Sequence, residues 1–314
     1  MLNELNRRRL LQRLPALAVL AWAGGGTRSA RAQSSASVLA KPIPSSGEPM
    51  PVVGLGTWIT FNVGNDRVAQ DASAEVMQAF FAGGGRMVDS SPMYGSSQAT
   101  VGHGLARAKP AALFSAEKVW TSSGRGDGRG PAQIEQSRKL WGVPKFDLLQ
   151  VHNLLDWEVH LPTLLEMKTA GRLRYVGITT SEGRRHREIE AMLRNQPIDF
   201  LQLTYNPLDR EAEQRLLPLA AERRIAVIAN RPFRQGDLLH SLARQKLPAW
   251  AASELGCDGW AQLVLKFIVS HPAVTCAIPA TSSVAHVRQN LGAARGPMPD
   301  ATLRQKIANH IAAL

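Results

Sequence analysis

The sequence contains little cysteine, with two residues in a chain of 314, Cys257 and Cys276. Two cysteines exclude a disulfide framework, and because no second cluster of Cys and His accompanies them they make a poor metal site. The chain also lacks a dense run of Lys and Arg interleaved with aromatic residues, which is typical of proteins that follow a nucleic-acid backbone. We therefore expect neither a bound metal nor a nucleic-acid partner.

The N-terminus has no apolar run of the roughly 20 residues that a transmembrane helix needs. A shorter apolar stretch at 14–23 follows three arginines at 7–9 and precedes an Ala-Arg-Ala cleavage pattern at 30–32. A positive segment, a short apolar segment and a cleavage pattern in this order indicate a signal peptide. The paired arginines followed by two leucines resemble a twin-arginine motif, so we interpret residues 1–32 as a twin-arginine-type signal peptide. A plain secretory signal and a disordered basic tail are the alternatives.

Cleavage after residue 32 would remove six arginines and one glutamate, which lowers the formal charge from +12 to about +7. A charge of this size, spread over the remaining chain, is ordinary surface excess and does not favour nucleic acid as a partner. We expect the protein to be periplasmic or otherwise exported from a bacterial cell. Its contact with the twin-arginine export machinery would be transient, without stable insertion in the membrane.

The rest of the chain alternates between apolar runs of strand length and segments of helical periodicity. Residues 33–50, rich in Ser, Pro and Gly, are interpreted as a linker, and residues 51–314 as one domain. The predicted strands cover residues 52–58, 86–89, 113–120, 146–152, 175–180, 200–205, 225–229 and 274–278. The predicted helices cover residues 72–82, 98–106, 132–141, 161–169, 184–194, 210–223, 260–270 and 284–293.

Eight strands, each followed by a helix, predict an α/β fold of the (β/α)8 TIM-barrel type in a single domain. Short, continuously apolar strands are what a parallel sheet covered by helices requires. A span of about 250 residues is also the usual size of such a barrel. A doubly wound open sheet is the structural alternative, but the chain lacks a G-x-G-x-x-G motif after an early strand.

Polar side chains follow the carboxyl ends of three neighbouring predicted strands. Asp89 ends the second strand and Tyr94 lies in the loop after it, Lys118 lies near the end of the third strand, and His152 ends the fourth. Because the chemistry of (β/α)8 barrels takes place at this face, these four residues are the candidate catalytic group. Each of them alone has an ordinary explanation, as a turn residue, a buried aromatic, a surface lysine or a core histidine.

In this order and on these strands, the four residues resemble the catalytic tetrad of the aldo-keto reductase superfamily. The resemblance covers nearly all of residues 50–293. The other segments that carry it are Gly-Leu-Gly-Thr-Trp at 54–58, Asp-x-x-x-x-Tyr-Gly at 89–95, and Ile-Pro-Ala-Thr-Ser-Ser at 278–283 followed by His286 and Asn290.

The resemblance implies a role for each member of the tetrad. Tyr94 would donate a proton, Lys118 would activate it, Asp89 would hold the lysine, and His152 would orient the substrate carbonyl. These residue types suit the chemistry, because a tyrosine with a pKa of about 10 is a slow acid at neutral pH and an adjacent ammonium lowers that pKa. A nearby histidine can donate a hydrogen bond to the carbonyl oxygen.

The resemblance also implies NADPH or NADH as the cofactor. The residues at its cofactor-binding positions are Thr57, Thr179, Thr180, Gln202, Arg231, Thr281, His286 and Asn290. Thr179 and Thr180 replace the usual Ser-Asn pair, and Asn230 stands where the family often has an aromatic residue. Ala280 and His286 replace a Lys and an Arg that grip the 2′-phosphate, so we expect weak discrimination between NADPH and NADH.

The sequence therefore predicts an NAD(P)H-dependent oxidoreductase that acts on a small-molecule aldehyde or ketone. The alternative is a non-catalytic or regulatory barrel that binds a dinucleotide, which export favours because reduced nicotinamide has no ordinary pool outside the cytoplasm. A metal-dependent barrel hydrolase would need a larger His and Asp cluster than His152 and Asp89 offer. Trp58 and Trp157, near the rim, are candidates for an apolar substrate wall.

Overall fold

The computed structural model describes residues 38–121 and 129–314, and the predicted signal peptide lies outside these residues. The strands of this part of the chain are β1 (Ala40–Pro42), β2 (Pro49–Pro51), β3 (Leu55–Gly56), β4 (Met87–Asp89), β5 (Phe114–Val119), β6 (Leu148–Val151), β7 (Tyr175–Thr179), β8 (Phe200–Thr204), β9 (Ala226–Asn230) and β10 (Val274–Ala277). Strands β3 to β10 form one parallel sheet in which consecutive strands are neighbours.

This sheet closes on itself. The backbone N–H of Gly54 donates to the carbonyl oxygen of Ala277 (2.8 Å), and the N–H of Gly56 donates to that of Pro279 (3.1 Å). Parallel bridges join the same two edges of the sheet. The predicted (β/α)8 barrel is therefore confirmed.

Helices alternate with the strands of the barrel along the chain. In the described residues they are α1 (Arg67–Ala82), α2 (Ser97–Ala108), α3 (Arg129–Trp141), α4 (Trp157–Thr169), α5 (His186–Asn195), α6 (Leu216–Glu222), α7 (Asp237–Leu242), α8 (Ala249–Leu255), α9 (Trp260–Val269), α10 (Val284–Gly292) and α11 (Ala301–Ala312). The helix predicted over 210–223 is shorter than expected, since a 3-10 turn at Glu211–Glu213 precedes α6 and Pro218, in the first turn of α6, lacks the N–H that a longer α-helix would use there. The sequence did not predict α7, α8 or α11. Among the described residues, the structure contains no helix with both the length and the hydrophobicity of a transmembrane span.

The described part of the predicted linker is folded, which corrects that interpretation for residues 38–50. Strands β1 and β2 pair in an antiparallel hairpin across a short turn. Ile43 and Met50, on either side of the turn, are fully buried. The Pro, Ser and Gly residues that suggested a linker belong to a tight turn between two apolar anchors.

The hairpin packs into the lower end of the barrel. Ile43 and Met50 belong to a cluster of buried apolar side chains that includes the first residues of six strands, namely Met87, Phe114, Leu148, Tyr175, Phe200 and Ala226. Because strands begin at this end, the hairpin covers the face opposite the carboxyl ends. It leaves the carboxyl-end face for the functional site, where barrel enzymes place it.

Polar contacts fix the hairpin in this position. Glu48 pairs with Arg86 (Oε1 to Nη2, 3.0 Å) and with Arg174. The ammonium group of Lys41 donates to the carbonyl oxygen of Val274 (2.7 Å), at the start of β10. The hairpin thus contacts residues at or just before the starts of three strands, β4, β7 and β10.

We expect Met50→Ala to lower the free energy of unfolding by about 2–5 kcal/mol, because truncating a fully buried side chain leaves a cavity. Urea titration followed by circular dichroism measures the change. Val68→Ala is the matched control, since Val68 is 80% exposed and its truncation should alter stability by no more than about 0.5 kcal/mol. A loss below about 1 kcal/mol for Met50→Ala would show that the hairpin does not close the barrel.

Candidate active site

A cavity of about 520 Å³ opens at the carboxyl ends of the strands. The candidate residues that line it are Thr57, Asp89, Tyr94, His152, Thr179, Thr180, Gln202, Arg231, Thr281, His286 and Asn290. The remaining one, Lys118, lies beneath the lining with a fully buried side chain. The structure thus brings all of the candidate residues to one site.

A tight turn after β4 places Tyr94 over this cavity. The backbone N–H of Tyr94 donates to the carbonyl oxygen of Ser91 (3.0 Å), and Pro92 occupies the second position of the turn, which its fixed φ suits. Gly95 follows with a φ of +60°, and a Cβ there would lie 2.3 Å from the side chain of Asn62. The Ser-Pro-Met-Tyr-Gly sequence therefore sets the position of the tyrosine.

A buried ion pair lies under the cavity floor. The ammonium nitrogen of Lys118 lies 2.5 Å from Oδ1 of Asp89 and 2.8 Å from the carbonyl oxygen of Ser90. The other carboxylate oxygen of Asp89 accepts from the amides of Gln202 (2.9 Å) and Gln150 (3.3 Å). Burial opposes the charge on the lysine, but the carboxylate and the other acidic groups beside the lysine together outweigh it, so the pKa of Lys118 is raised. The site therefore contains a fixed positive charge.

Tyr94 lies beside this charge, with the ammonium nitrogen of Lys118 5.2 Å from the centroid of its ring. Burial raises the pKa of Tyr94 to about 12, and the positive charge of Lys118 offsets this in part. The expected lowering of the pKa below its ordinary value is not found, because burial of the hydroxyl outweighs the nearby charge. The phenol is therefore protonated at neutral pH, and it is still a stronger acid than an aliphatic alcohol.

His152 meets the ring of Tyr94 edge-on, with ring centroids 5.7 Å apart and planes at 84°. Its Nδ1 lies 2.8 Å from the hydroxyl oxygen of Ser91. Burial lowers the pKa of His152 to about 3, and the charge of Lys118 contributes to the lowering. The imidazole is therefore neutral at pH 7 and has Nε2 left to interact with a ligand in the cavity.

Two predicted cofactor residues are tied to Asp89. The amide nitrogen of Gln202 donates to the Asp89 carboxylate, so its amide oxygen is left to accept a hydrogen bond. The hydroxyl of Thr57 lies 3.0 Å from the backbone oxygen of Asp89 and 2.9 Å from the hydroxyl of Ser90. Gln202 can therefore contact a ligand through its side chain, whereas the Thr57 hydroxyl is engaged within the protein.

The two threonines at the end of β7 differ in their hydrogen bonds. The hydroxyl oxygen of Thr179 accepts from the backbone N–H of Asn153 (3.2 Å), which leaves its hydrogen to donate. The hydroxyl of Thr180 donates to the backbone oxygen of Arg184 (2.8 Å), and its own backbone oxygen accepts from the amide of Asn230 (2.8 Å). Thr180 thus organises the rim of the cavity.

Arg231, predicted to contact pyrophosphate, pairs with Glu182 (Nη1 to Oε1, 2.7 Å). Both residues adopt left-handed backbone conformations, with φ of 48° and 62°. Arg184 pairs with the same carboxylate. Among the described residues, the Lys or Arg side chains that line the cavity are these two arginines. The cationic groups of the lining therefore converge on one glutamate.

The start of α10 forms the far end of the cavity. The hydroxyl of Thr281 accepts from the backbone N–H of Ser283 (3.1 Å), and the Ser283 side chain in turn caps α10 by accepting from the N–H of His286 (3.4 Å). His286 and Asn290 face the cavity from this helix. A helix N-terminus with hydroxyl groups favours an anion such as a phosphate.

Of the two tryptophans proposed for an apolar wall, the structure places Trp58 at the cavity and Trp157 at the start of α4, outside the cavity lining. The ring of Trp58 lies 6.4 Å from that of Tyr94, measured between centroids. Met93 and Phe233 also contribute apolar surface to the lining.

Sequence reasoning missed three residues that shape the site. Ser91 contacts His152, Gln150 contacts Asp89, and Glu182 holds Arg231. Ser91 and Gln150 each lie two positions from a tetrad residue, so their polar side chains near two strand ends were an available signal. Glu182 lies in a loop whose path the sequence does not specify.

The chain matches known proteins over most of its length. The family model described as "Aldo/keto reductase family" matches residues 52–306. The methylglyoxal reductase YeaE of Escherichia coli (strain K12) is 25% identical over 258 residues, which cover 80% of this chain and 88% of the relative. The NADH-specific methylglyoxal reductase of the same organism is 26% identical over 234 residues, which cover 63% of this chain and 68% of the relative.

A solved structure agrees with the barrel. The crystal structure of an aldo-keto reductase from Klebsiella pneumoniae in complex with NADPH superposes with a TM-score of 0.72 at 20% identity, covering 87% of this chain and 95% of the other. At this identity the likeness supports the fold. The family model, by contrast, spans the barrel from its first strand to its last helix, and on that ground the chain belongs to the aldo/keto reductase family.

Proposed function

We propose that this protein reduces the carbonyl group of a small-molecule aldehyde or ketone, with NADPH or NADH as the cofactor. The observation that carries the proposal is the arrangement of Tyr94, Lys118, Asp89 and His152 at one cavity. A protonated phenol and a neutral imidazole face the same space, above a buried cation. Together they offer two hydrogen-bond donors to one oxygen atom.

The cavity fits a nicotinamide dinucleotide. The free amide oxygen of Gln202 suits the carboxamide NH2, and the N-terminal end of α10 with Thr281 suits a phosphate. His286 and Asn290 line the same end. When bound, this group supplies the hydride that is added to the carbonyl carbon.

The proton for the carbonyl oxygen comes from Tyr94. As negative charge develops on that oxygen, the tyrosine hydroxyl is a stronger acid than the alcohol that forms from the carbonyl. The tyrosine therefore transfers its proton to the oxygen. Lys118 stabilises the phenolate that this step leaves behind, and Asp89 holds the lysine in place through its 2.5 Å contact.

His152 orients the substrate. A neutral imidazole can donate one hydrogen bond to the carbonyl oxygen without competing with Tyr94 for the role of acid. Trp58 and Met93 cover the neighbouring side of the cavity with apolar surface, which limits the access of water.

Tyr94→Phe should lower kcat by about 100-fold or more, because the variant lacks the proton donor. Cofactor affinity should not change, since Tyr94 is not among the predicted cofactor residues. Absorbance at 340 nm with a carbonyl panel that includes methylglyoxal measures turnover, and fluorescence titration measures cofactor binding.

Tyr175→Phe is the matched control, because Tyr175 lies at the start of β7, at the end of the barrel opposite the cavity. It should keep the activity of the parent. Activity of Tyr94→Phe within twofold of the parent would contradict the assignment of the acid. A parent that binds both dinucleotides but reduces no carbonyl compound would favour the non-catalytic barrel instead.

Discrimination between NADPH and NADH should be weak, since no Lys or Arg of the described chain lines the cavity at the α10 end. Ala280, which is exposed at this end, is a place to add one. A charge-assisted contact contributes about 1.5–3 kcal/mol, so Ala280→Lys should raise the preference for NADPH about tenfold or more.

Ala280→Met, of similar length but without charge, should leave the ratio of kcat/KM for the two cofactors unchanged. A parent preference for NADPH above about a thousandfold would show that another cation, such as Arg231 or Arg288, reaches the 2′-phosphate. Steady-state kinetics with each cofactor separate these outcomes.

We infer from the sequence that the chain is exported through the twin-arginine route to the periplasm. The support is the order of arginines, apolar segment and Ala-Arg-Ala pattern within residues 1–32. The small number of cysteines agrees with folding in a reducing compartment before transport. A folded barrel could carry its cofactor with it if the dinucleotide dissociates slowly.

Replacing both Arg7 and Arg8 by Lys should leave the precursor in the cytoplasm, because the paired arginines are the feature that the export machinery reads. Cell fractionation and immunoblotting measure the distribution. Arg13→Lys, which makes the same exchange outside the pair, should be exported normally. Normal export of the double variant would indicate the general secretory route.

A further inference from the structure

The contact between Ser91 and His152 specifies more than the position of the imidazole. Ser91 is fully buried, and its hydroxyl oxygen lies 2.8 Å from Nδ1 of His152. The same oxygen accepts a hydrogen bond from the backbone N–H of Met93 (3.2 Å). Within the described residues, the Ser91 hydroxyl takes part in these two hydrogen bonds and in no others.

A hydroxyl group has one hydrogen and two lone pairs. The N–H of Met93 can use a lone pair only, so the hydroxyl hydrogen is left for His152. If Nδ1 carried the hydrogen instead, the buried hydroxyl would accept twice and its own hydrogen would have no partner, which is unfavourable for a buried donor. Ser91 therefore donates, and Nδ1 of His152 accepts.

We propose that Ser91 fixes His152 in the tautomer that carries its hydrogen on Nε2. Ser91 is thus a positioning residue, which acts on the substrate through the histidine. The catalytic side of this inference rests on the proposed carbonyl reduction, whereas the tautomer itself does not.

The tautomer decides what the histidine can do. With hydrogen on Nε2, the imidazole donates to an oxygen in the cavity, which is the interaction that a carbonyl acquiring negative charge requires. With hydrogen on Nδ1, Nε2 presents a lone pair to that oxygen and repels it. The loss of this hydrogen bond should matter more as negative charge develops on the substrate oxygen. It should therefore lower kcat rather than raise KM.

Nitrogen-15 NMR of histidine-labelled protein shows which ring nitrogen carries the hydrogen, and His152→Gln identifies the His152 signals. The parent should show Nδ1 without hydrogen and Nε2 with it. Ser91→Ala should shift the signals towards a mixture of tautomers and lower kcat by about tenfold, the value of one hydrogen bond of about 1.4 kcal/mol. Cofactor affinity should be unchanged.

Two further variants separate tautomer control from packing. Ser91→Thr keeps the hydroxyl and should restore both the parent spectrum and the parent kcat. Ser115→Ala makes the same exchange at a buried serine near the start of β5, at the opposite end of the barrel, and should change neither. If Ser91→Ala does not fold, Ser91→Cys, a weaker donor, serves for the same comparison.

Hydrogen on Nδ1 in the parent would overturn the proposal. An unchanged tautomer in Ser91→Ala would also overturn it, whatever the rate. A parent that shows the expected tautomer and loses it in Ser91→Ala, but reduces no carbonyl compound, would support the role of Ser91 while contradicting the proposed function.

Discussion

The ion pair between Lys118 and Asp89 is the interaction on which the rest of the site depends. Each side chain is at most 2% exposed, and moving a charge to such a position costs several kcal/mol unless its partners compensate. Here Asp89 accepts from two amides, and Lys118 donates to the backbone oxygen of Ser90. Loss of either partner would leave an unpaired charge in the barrel interior, which explains why neighbouring strands provide so many hydrogen bonds to one pair.

The buried cation acts on two neighbours in different ways. It adds to the lowering of the His152 pKa, which is mainly caused by burial, and it offsets part of the rise that burial causes in the pKa of Tyr94. The tyrosine stays protonated and the histidine stays neutral over the same pH range. Burial and the cation together therefore maintain an acid and a hydrogen-bond donor side by side, so that neighbouring groups take distinct roles at a single pH.

The barrel and its four central residues could be predicted because both depend on short-range patterns. Buried parallel strands are continuous apolar runs, and the four residues lie at the ends of three of them or in the loop that follows. The hairpin at 40–51 could not be recognised, because two three-residue strands around a Pro and Ser turn have the composition of a linker.

The hydrogen-bond partners of the predicted cofactor residues could not be predicted from the sequence either. Thr180 and Arg231 line the cavity, and their side chains bond to Arg184 and Glu182. Those partners lie in a loop with left-handed backbone at Glu182, a conformation that residue preferences do not predict. Which atoms meet across the rim is decided by loop geometry and not by periodicity.

The closure of the barrel has a consequence for how the chain folds. The N–H of Leu39 donates to the carbonyl oxygen of Ala294 (2.9 Å), and Gly54 is joined to Ala277. Contacts between segments more than 200 residues apart form slowly, because the intervening chain must first be ordered. During synthesis, the first barrel strand therefore has an unpaired edge until β10 has left the ribosome. A nascent chain that stops short of this point presents that edge to other chains, so the last quarter of the sequence protects the first from aggregation.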